Sequence, residues 1–258
     1  MNQILISVIF AAALFAGLLG CLRLGWKIGR RQLRTASEDS QAGLGAIEGS
    51  VFGLMGLLIA FTFTGAATRF HERRDLITQH VNAIGTAWLR LDLLSDDDQN
   101  QARDAFRRYV DTVIETTRDA SDKEAATAGV AKLNLIQAEI WTHLVDVTKR
   151  DRSLPLAQTV LPPANEMFDL GNSRLLASRQ HPPVAVFGML GVLVLVSGLL
   201  AGFGMSKSDR QSPLHVLGFS AIMALSIYLI LDIEYPRLGL IRIDAFDQAL
   251  IELRASMN

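Results

Sequence analysis

The chain has 258 residues, half of them hydrophobic and a fifth charged, and its mean hydropathy is +0.27. Such a composition excludes a soluble enzyme with one large core, a coiled-coil rod and an intrinsically disordered chain. The net charge of −1 gives no electrostatic footprint for nucleic acid as a partner. The single cysteine, Cys21, excludes an internal disulfide and a thiolate metal cluster within one chain.

Four apolar blocks hold the hydrophobic excess, and none of them contains Asp, Glu, Lys or Arg. Each block can cross a hydrocarbon core of about 30 Å as a helix, which satisfies its own backbone in lipid. The sequence therefore predicts an all-α membrane protein with four transmembrane helices in two hairpins, at about residues 4–22, 49–68, 183–205 and 212–231. The first block starts without a basic residue, so we expect a retained span and not a cleaved secretory peptide.

The block boundaries divide the chain into four predicted domains. They are a first transmembrane hairpin (1–68), a helical extramembrane domain continuous with span 2 (69–181), a second hairpin (182–232) and an amphipathic tail (233–258). Span 2 continues beyond the membrane because no proline or other strong break occurs between Gly49 and Ser95, and apolar residues keep a helical spacing there.

Three further helices are predicted within the extramembrane domain. Ser95, followed by three aspartates, is typical of a helix N-cap. The helix that it opens has an apolar face made of Ala102, Phe106, Tyr109, Val110 and Val113. The next helix is predicted from about residue 122 to residue 149. Its side chains expected to face the core are Val130, Leu133, Ile136, Ile140, Trp141 and Leu144. The third is expected to break at Pro162 and Pro163.

The basic residues bear on the orientation of the chain in the membrane. Those of the short connections are Arg23, Lys27, Arg30, Arg31, Arg34, Lys207 and Arg210. The positive-inside rule places these connections in the cytoplasm, and hence both termini and the extramembrane domain outside it. Long insertions count little in this rule, and Arg69, Arg73 and Arg74 favour the opposite side.

No arrangement of residues typical of an enzyme, a cofactor or a metal site stands out, so the sequence predicts a protein that is not an enzyme. His71-Glu72 lacks the second histidine of a zinc helix, and the five scattered histidines are expected at the surface. The acidic run Asp92 and Asp96–Asp98 could hold a hard cation, but helix capping explains it without one. Asp232 and Glu234, at the end of span 4, are expected to be solvated interfacial groups.

Glycines spaced for close helix packing occur in two spans: Gly45, Gly49 and Gly56 near or in span 2, and Gly198 and Gly202 in span 3. A stripe of Gly53, Leu57 and Phe61 continues on span 2 through Thr64 to Thr68. Repeated around a symmetry axis, this stripe would form an apolar constriction that opens into a polar vestibule. Periodicity alone favours the simpler interpretation, in which Leu57 and Phe61 face lipid or neighbouring helices.

The segment 61–74, FTFTGAATRFHERR, followed by VNAIGT at 81–86, resembles a family of bacterial membrane proteins of unknown function with a bestrophin-like domain. It is more distantly similar to the bestrophin anion channels, mainly in span 2 and its exit helix. The close resemblance covers nearly the whole chain and implies a multi-pass protein of the bacterial plasma membrane.

The distant similarity implies a pentameric channel in the lipid bilayer, permeable to inorganic anions and lined by span 2, with neck positions at Gly53, Leu57 and Phe61. Gly53 departs from the pattern of bulky neck residues. The resemblance therefore implies a constriction that is shorter or wider than in bestrophins, or one whose outer ring is supplied by Leu54. Thr64, Thr68, Arg69 and Arg73 are the vestibule candidates, although each arginine also fits an interfacial anchor. The acidic calcium clasp of animal bestrophins has no match here, and bestrophins hold their helical insertion in the cytoplasm.

Two other functions compete with the channel. A non-conducting scaffold or sensor would use the helical domain to bind a ligand or a partner protein. A sensor of this kind would also need a partner protein to pass the signal on. A membrane enzyme would need paired intramembrane carboxylates or histidines, and His215 is the only ionisable side chain placed clearly inside a predicted span.

Overall fold

The computed structural model describes residues 3–32, 38–118, 122–152, 154–207, 212–236, 241 and 243–257. Within these ranges the protein is all-α and contains no strand, as predicted. The helices are α1 (Gln3–Gln32), α2 (Glu38–Arg90), α3 (Asp96–Arg118), α4 (Lys123–Asp151), α5 (Leu154–Arg179), α6 (Val184–Gly204), α7 (Pro213–Glu234) and α8 (Asp244–Ser256). Short 3₁₀ turns follow α2 at Leu91–Leu93 and α6 at Met205–Lys207.

Four helical stretches are long and apolar enough to cross a membrane, and they include α1, α2, α6 and α7. The prediction of a four-span, multi-pass membrane protein is thereby confirmed. The chain divides into two compact units. We call them the membrane unit (Met1–Phe70 and His181–Arg242) and the extramembrane unit (His71–Gln180 and Ile243–Asn258).

In the membrane unit, α1 packs along both α6 and α7. Glycine allows the backbones of α1 and α6 to touch, because a Cβ atom at Gly25 would lie 1.9 Å from the carbonyl oxygen of Leu199. A Cβ atom at Gly202 would likewise lie 2.1 Å from the carbonyl oxygen of Leu22. The apolar core of this unit includes Leu14, Leu18, Met55, Ala66, Leu190, Val194, Ile227 and Ile230.

The extramembrane unit is a helical bundle in which α3 packs on α4 and on α8, and α4 packs on α5. The predicted apolar face of α3 is confirmed, since all five of its residues are buried. On α4, Ile136, Ile140 and Leu144 are buried as predicted. The prediction for Trp141 was wrong: the side chain is 39% exposed, because it lies off the stripe that Ile136, Ile140 and Leu144 share at helical spacing.

The predicted break at Pro162 and Pro163 was also wrong, because α5 runs through both prolines. Proline lacks the amide hydrogen and so cannot donate to the helix ladder. Val160, Ala164 and Met167, which flank the pair, are buried in the bundle core. Their burial outweighs the local cost of the prolines, a case in which tertiary packing overrides helix propensity.

The acidic run after α2 makes ion pairs within the bundle. α3 begins at Asp96 with three aspartates in its first turn, as the N-cap pattern predicted. Asp92 pairs with Arg103 at 2.7 Å, and Asp98 with Arg150 at 2.6 Å. The hydrogen bond from Arg150 holds the pKa of Asp98 below its usual value. Among the residues that the structure describes, no three His, Cys, Asp or Glu side chains lie close enough to hold a metal ion.

Candidate pore-lining surface

One face of α2 in the membrane unit is exposed among the residues that the structure describes. The side chains of Leu57 and Phe61 are 51% and 65% exposed, and Thr64 and Thr68 are exposed as well. A helix has 3.6 residues per turn, so these four positions follow one another along the same face as Gly53. The stripe identified in the sequence is therefore a continuous exposed surface, apolar at Leu57 and Phe61 and hydroxylated at Thr64 and Thr68.

The opposite face of α2 holds the helix in its unit. Met55 and Ala66 are buried there, and Leu58 and Ile59 pack against the same core. The ring of Phe52 meets that of Phe219 on α7 edge to face, with centroids 6.4 Å apart. Because this face is occupied by its own chain, the exposed face is the part of α2 that is available to lipid, to an aqueous pore or to another copy of the chain.

The glycines that the sequence singled out for helix packing lie in two different environments. A Cβ atom at Gly198 would lie 2.7 Å from Cδ2 of Leu18, and Gly202 contacts the α1 backbone. An added Cβ atom at Gly45, Gly49, Gly53 or Gly56 would meet nothing within 4 Å in the described part of the chain. The second set therefore leaves α2 smooth on its exposed side.

The sequence from residue 12 to residue 245 matches the family model of the bestrophin-like domain. The chain belongs to the bestrophin-like family. No curated protein and no solved structure matches the chain. The resemblance drawn from segment 61–74 is thus confirmed at the level of the family, and the bestrophin family includes ion channels.

At the end of span 2, the bestrophin-like chain holds a buried carboxylate between two basic side chains. Glu234 is fully buried, and its Oε2 accepts hydrogen bonds from Arg69 at 2.6 and 3.0 Å. Its Oε1 lies 3.0 Å from Nδ1 of His181. The imidazole of His181 in turn stacks on the ring of Tyr235, with centroids 4.7 Å apart. We call Arg69, Glu234 and His181 the charged triad.

The expectation that Asp232 and Glu234 are solvated was wrong, since both are buried. Asp232 accepts a hydrogen bond from the backbone N–H of Ile241 at 2.9 Å. A buried carboxylate needs compensating partners, and here Arg69 and a backbone amide supply them. The charged triad could not be found from local patterns because Arg69 and Glu234 are 165 residues apart.

The other vestibule arginine, Arg73, is buried in the extramembrane unit. Its Nε donates to the carbonyl oxygen of Ala177 at 3.1 Å, and an Nη donates to that of Gln180 at 2.7 Å. These carbonyls lie at the C-terminal end of α5, where the last turn of a helix lacks internal donors and a positive charge is favourable. Arg73 therefore satisfies a helix end, while Arg69 compensates a carboxylate.

His80 overturns the expectation of five surface histidines, because it is almost completely buried in the extramembrane unit. Its Nε2 lies 3.0 Å from the hydroxyl oxygen of Tyr109, and its Nδ1 has no partner among the described residues. Burial, with help from the charge of Arg174, lowers the pKa of His80 from 6.5 to about 3. His80 is thus neutral at pH 7, and its spacing from Ile77 and Ile84, both buried, could have placed it inward.

Proposed function

We propose that the protein is a homo-oligomeric ion channel, and not an enzyme, whose pore is lined by the exposed face of α2. The observation that carries this proposal is the continuous exposed stripe from Gly53 to Thr68 on a helix whose opposite face packs against the core of its unit. Membership of the bestrophin-like family supports it, since the bestrophin family includes ion channels. The same membership supports a pentamer as the assembly.

Leu57 and Phe61 form the neck of the proposed pore, together with Gly53. Rings of bulky apolar side chains narrow a pore and strip ions of part of their hydration. The positive edges of the Phe61 rings can replace some of that water around an anion, which favours inorganic anions as the permeant species. Thr64 and Thr68, beyond the neck, offer hydroxyl groups to the ions and begin the polar vestibule.

The glycines on the same side of α2 fit contacts between subunits. Small residues allow membrane helices to approach closely, and an added Cβ atom at those of span 2 would meet nothing within 4 Å among the described residues. Five copies of α2 would bring the flanks of neighbouring helices together while Leu57 and Phe61 point to the axis. This arrangement buries apolar surface that a single chain leaves exposed.

Anion flux into liposomes tests the proposal. We expect chloride flux from the purified protein, and a changed flux from both Leu57→Ala and Phe61→Ala, because each removes bulk from the neck. Leu217→Ala is the matched control, since Leu217 is 50% exposed on α7 and away from the stripe. Particle symmetry is measured on the same sample. A well-ordered assembly without flux would refute the channel and leave the scaffold, whose partner would then be sought by cross-linking.

The location is part of the proposal: a bacterial plasma membrane, with the extramembrane unit outside the cytoplasm. The basic residues of the first connection support this side. Cys21 is the only native cysteine, so a Cys21→Ala chain that also carries Asn100→Cys reports on one exposed site of α3. We expect a membrane-impermeant maleimide to label it in intact cells. Labelling only after lysis would place the unit in the cytoplasm.

A further inference from the structure

We propose that the C-terminal end of α1 binds the headgroups of anionic phospholipids through a basic face formed by Arg23, Lys27 and Arg31. The face lies within the membrane unit. Its ligand is the phosphate group of a lipid in the leaflet where α1 ends. The inference does not depend on the proposed channel function, because lipid binding needs neither a pore nor conduction.

The three basic side chains lie next to one another on α1. They are spaced four residues apart, and side chains four residues apart are neighbours on a helix surface. All three are exposed, and none of them forms a hydrogen bond or an ion pair with another described residue. Like charges at this spacing repel one another, so an anion bound among them would be stabilising.

The opposite side of α1 is held firmly in the membrane unit. A Cβ atom at Gly25 would clash with the α6 backbone, and one at Gly29 would lie 2.3 Å from Oγ of Ser206. Each of these glycines is two residues from Lys27, which places it on the far side of a helix with 3.6 residues per turn. The basic face therefore points away from α6 on a backbone that is already fixed, and lipid binding costs little ordering of the helix.

The side chains that flank the basic face suit the edge of a bilayer. Leu24 and Ile28 are 51% and 36% exposed, so apolar surface lies beside the charges. The guanidinium of Arg30 lies over the ring of Trp26, 4.8 Å from its centroid, and tryptophan is typical of the membrane–water interface. A lipid meets both requirements: its acyl chains cover the apolar side chains while its phosphate binds the basic face. A free phosphate ion would leave the apolar side chains in water.

Trp26 makes the site measurable, because it belongs to the membrane unit whereas Trp88 and Trp141 belong to the extramembrane unit. The protein is reconstituted into phosphatidylcholine vesicles that contain increasing fractions of brominated phosphatidylglycerol or brominated phosphatidylcholine. Quenching of tryptophan fluorescence gives the relative affinity of the two lipids near Trp26. We expect phosphatidylglycerol to bind at least about five-fold more tightly, since each basic residue near an anionic surface contributes roughly this factor.

The chain with Arg23→Gln, Lys27→Gln and Arg31→Gln should lose this preference. Lys27→Gln alone should lower it, so the result does not depend on the folding of the triple variant. The matched control removes three exposed basic charges from the extramembrane unit: Arg90→Gln, Arg118→Gln and Lys149→Gln. It should keep the wild-type preference. Arg23→Lys with Arg31→Lys preserves the charges and should keep most of it. Thermal unfolding of each variant in detergent shows that the fold is kept.

Two results would overturn the lipid site directly: a wild-type protein that does not distinguish the two lipids, and a basic-face triple variant that distinguishes them as well as the control does. Inorganic phosphate separates the two possible sources of the ligand. If it abolishes the preference while chloride at the same ionic strength does not, the face binds free phosphate and the lipid proposal is wrong. Equal effects of the two salts are expected for a lipid headgroup, because both salts only screen its charge.

Discussion

The two parts of α2 are exposed in opposite ways. Within residues 45–70, only Met55 and Ala66 are buried, and large apolar side chains such as Leu54, Leu57 and Phe61 are exposed. Within residues 71–90, the buried positions recur at helical spacing: Arg73, Ile77, His80, Ala83, Ile84, Ala87 and Trp88. Among the described residues, one helix thus presents an exposed apolar face in the membrane unit and a well-packed face in the extramembrane unit.

The difference shows which surroundings each part is built for. Beyond the membrane, from His71 to Asn82, the exposed positions are polar, including Glu72, Asp75 and Gln79. This is the amphipathic pattern of a helix that packs on one side and meets water on the other. Before Phe70, most exposed positions are apolar or glycine, with Ser50, Thr64 and Thr68 as hydroxyl-bearing exceptions, and such a surface suits lipid or another copy of the chain.

The largest expected effect is on the free energy of unfolding, and it comes from a matched pair of alanine substitutions in the two parts of α2. Ile84→Ala removes a fully buried side chain and should cost about 2–5 kcal/mol of unfolding free energy, whereas Leu57→Ala should cost less than about 1 kcal/mol. Denaturant unfolding in detergent, followed by tryptophan fluorescence, measures both. Equal losses would show that Leu57 is packed in the assembled protein as firmly as Ile84.

A second effect comes from pH and is confined to the packed part of α2. Burial holds the pKa of His80 near 3, so the folded chain leaves it neutral while the unfolded chain binds a proton below about pH 6.5. The stabilising contribution is complete above pH 6.5 and is lost as the pH falls toward 3, at about 1.4 kcal/mol per pH unit. Unfolding free energies measured across this range should slope less in His80→Gln; an unchanged slope would assign the loss to other groups.

The open face of α2 gives a third, smaller effect, on assembly and not on the fold. Gly56→Leu adds bulk where an added Cβ atom meets no described residue within 4 Å, so the subunit should fold normally while contacts between subunits weaken. Native mass spectrometry in detergent should show smaller species. Gly20→Leu, at an equally open glycine on α1, is the control and should leave the assembly intact. An intact Gly56→Leu oligomer would assign this face to lipid or to the pore.

Much of this fold follows from periodicity, because helices and their faces are local properties. The apolar face of α3 and the exposed stripe of α2 both appear in the spacing of residues such as Phe106 and Phe61. Trp141 and the Pro162-Pro163 pair show the limit. Each depends on which neighbours pack nearby, and helical spacing alone does not rank those neighbours.

The charged triad and His80 could not be found in the same way. Glu234 looked solvated because a carboxylate near the end of a span can reach water, and only Arg69, far away in sequence, makes its burial tolerable. The glycines show a related ambiguity. The same four-residue spacing occurs at Gly198 and Gly202, which touch α1, and at Gly49 and Gly53, which touch nothing in the described chain.

The smallest expected effect separates these two kinds of glycine. Gly53→Ala should leave the free energy of unfolding unchanged or raise it by up to about 1 kcal/mol, because alanine favours a helix over glycine and its Cβ atom would meet no described residue within 4 Å. Gly202→Ala is the contrasting control, since its Cβ atom would lie 2.1 Å from the Leu22 carbonyl oxygen and must push α1 away from α6. Thermal unfolding in detergent compares them. A stable Gly53→Ala protein whose anion flux falls while native mass spectrometry shows an unchanged oligomer would support Gly53 as part of the neck, because altered subunit contacts would then not explain the loss. Unchanged flux with unchanged stability would move the constriction to Leu57 and Phe61 alone.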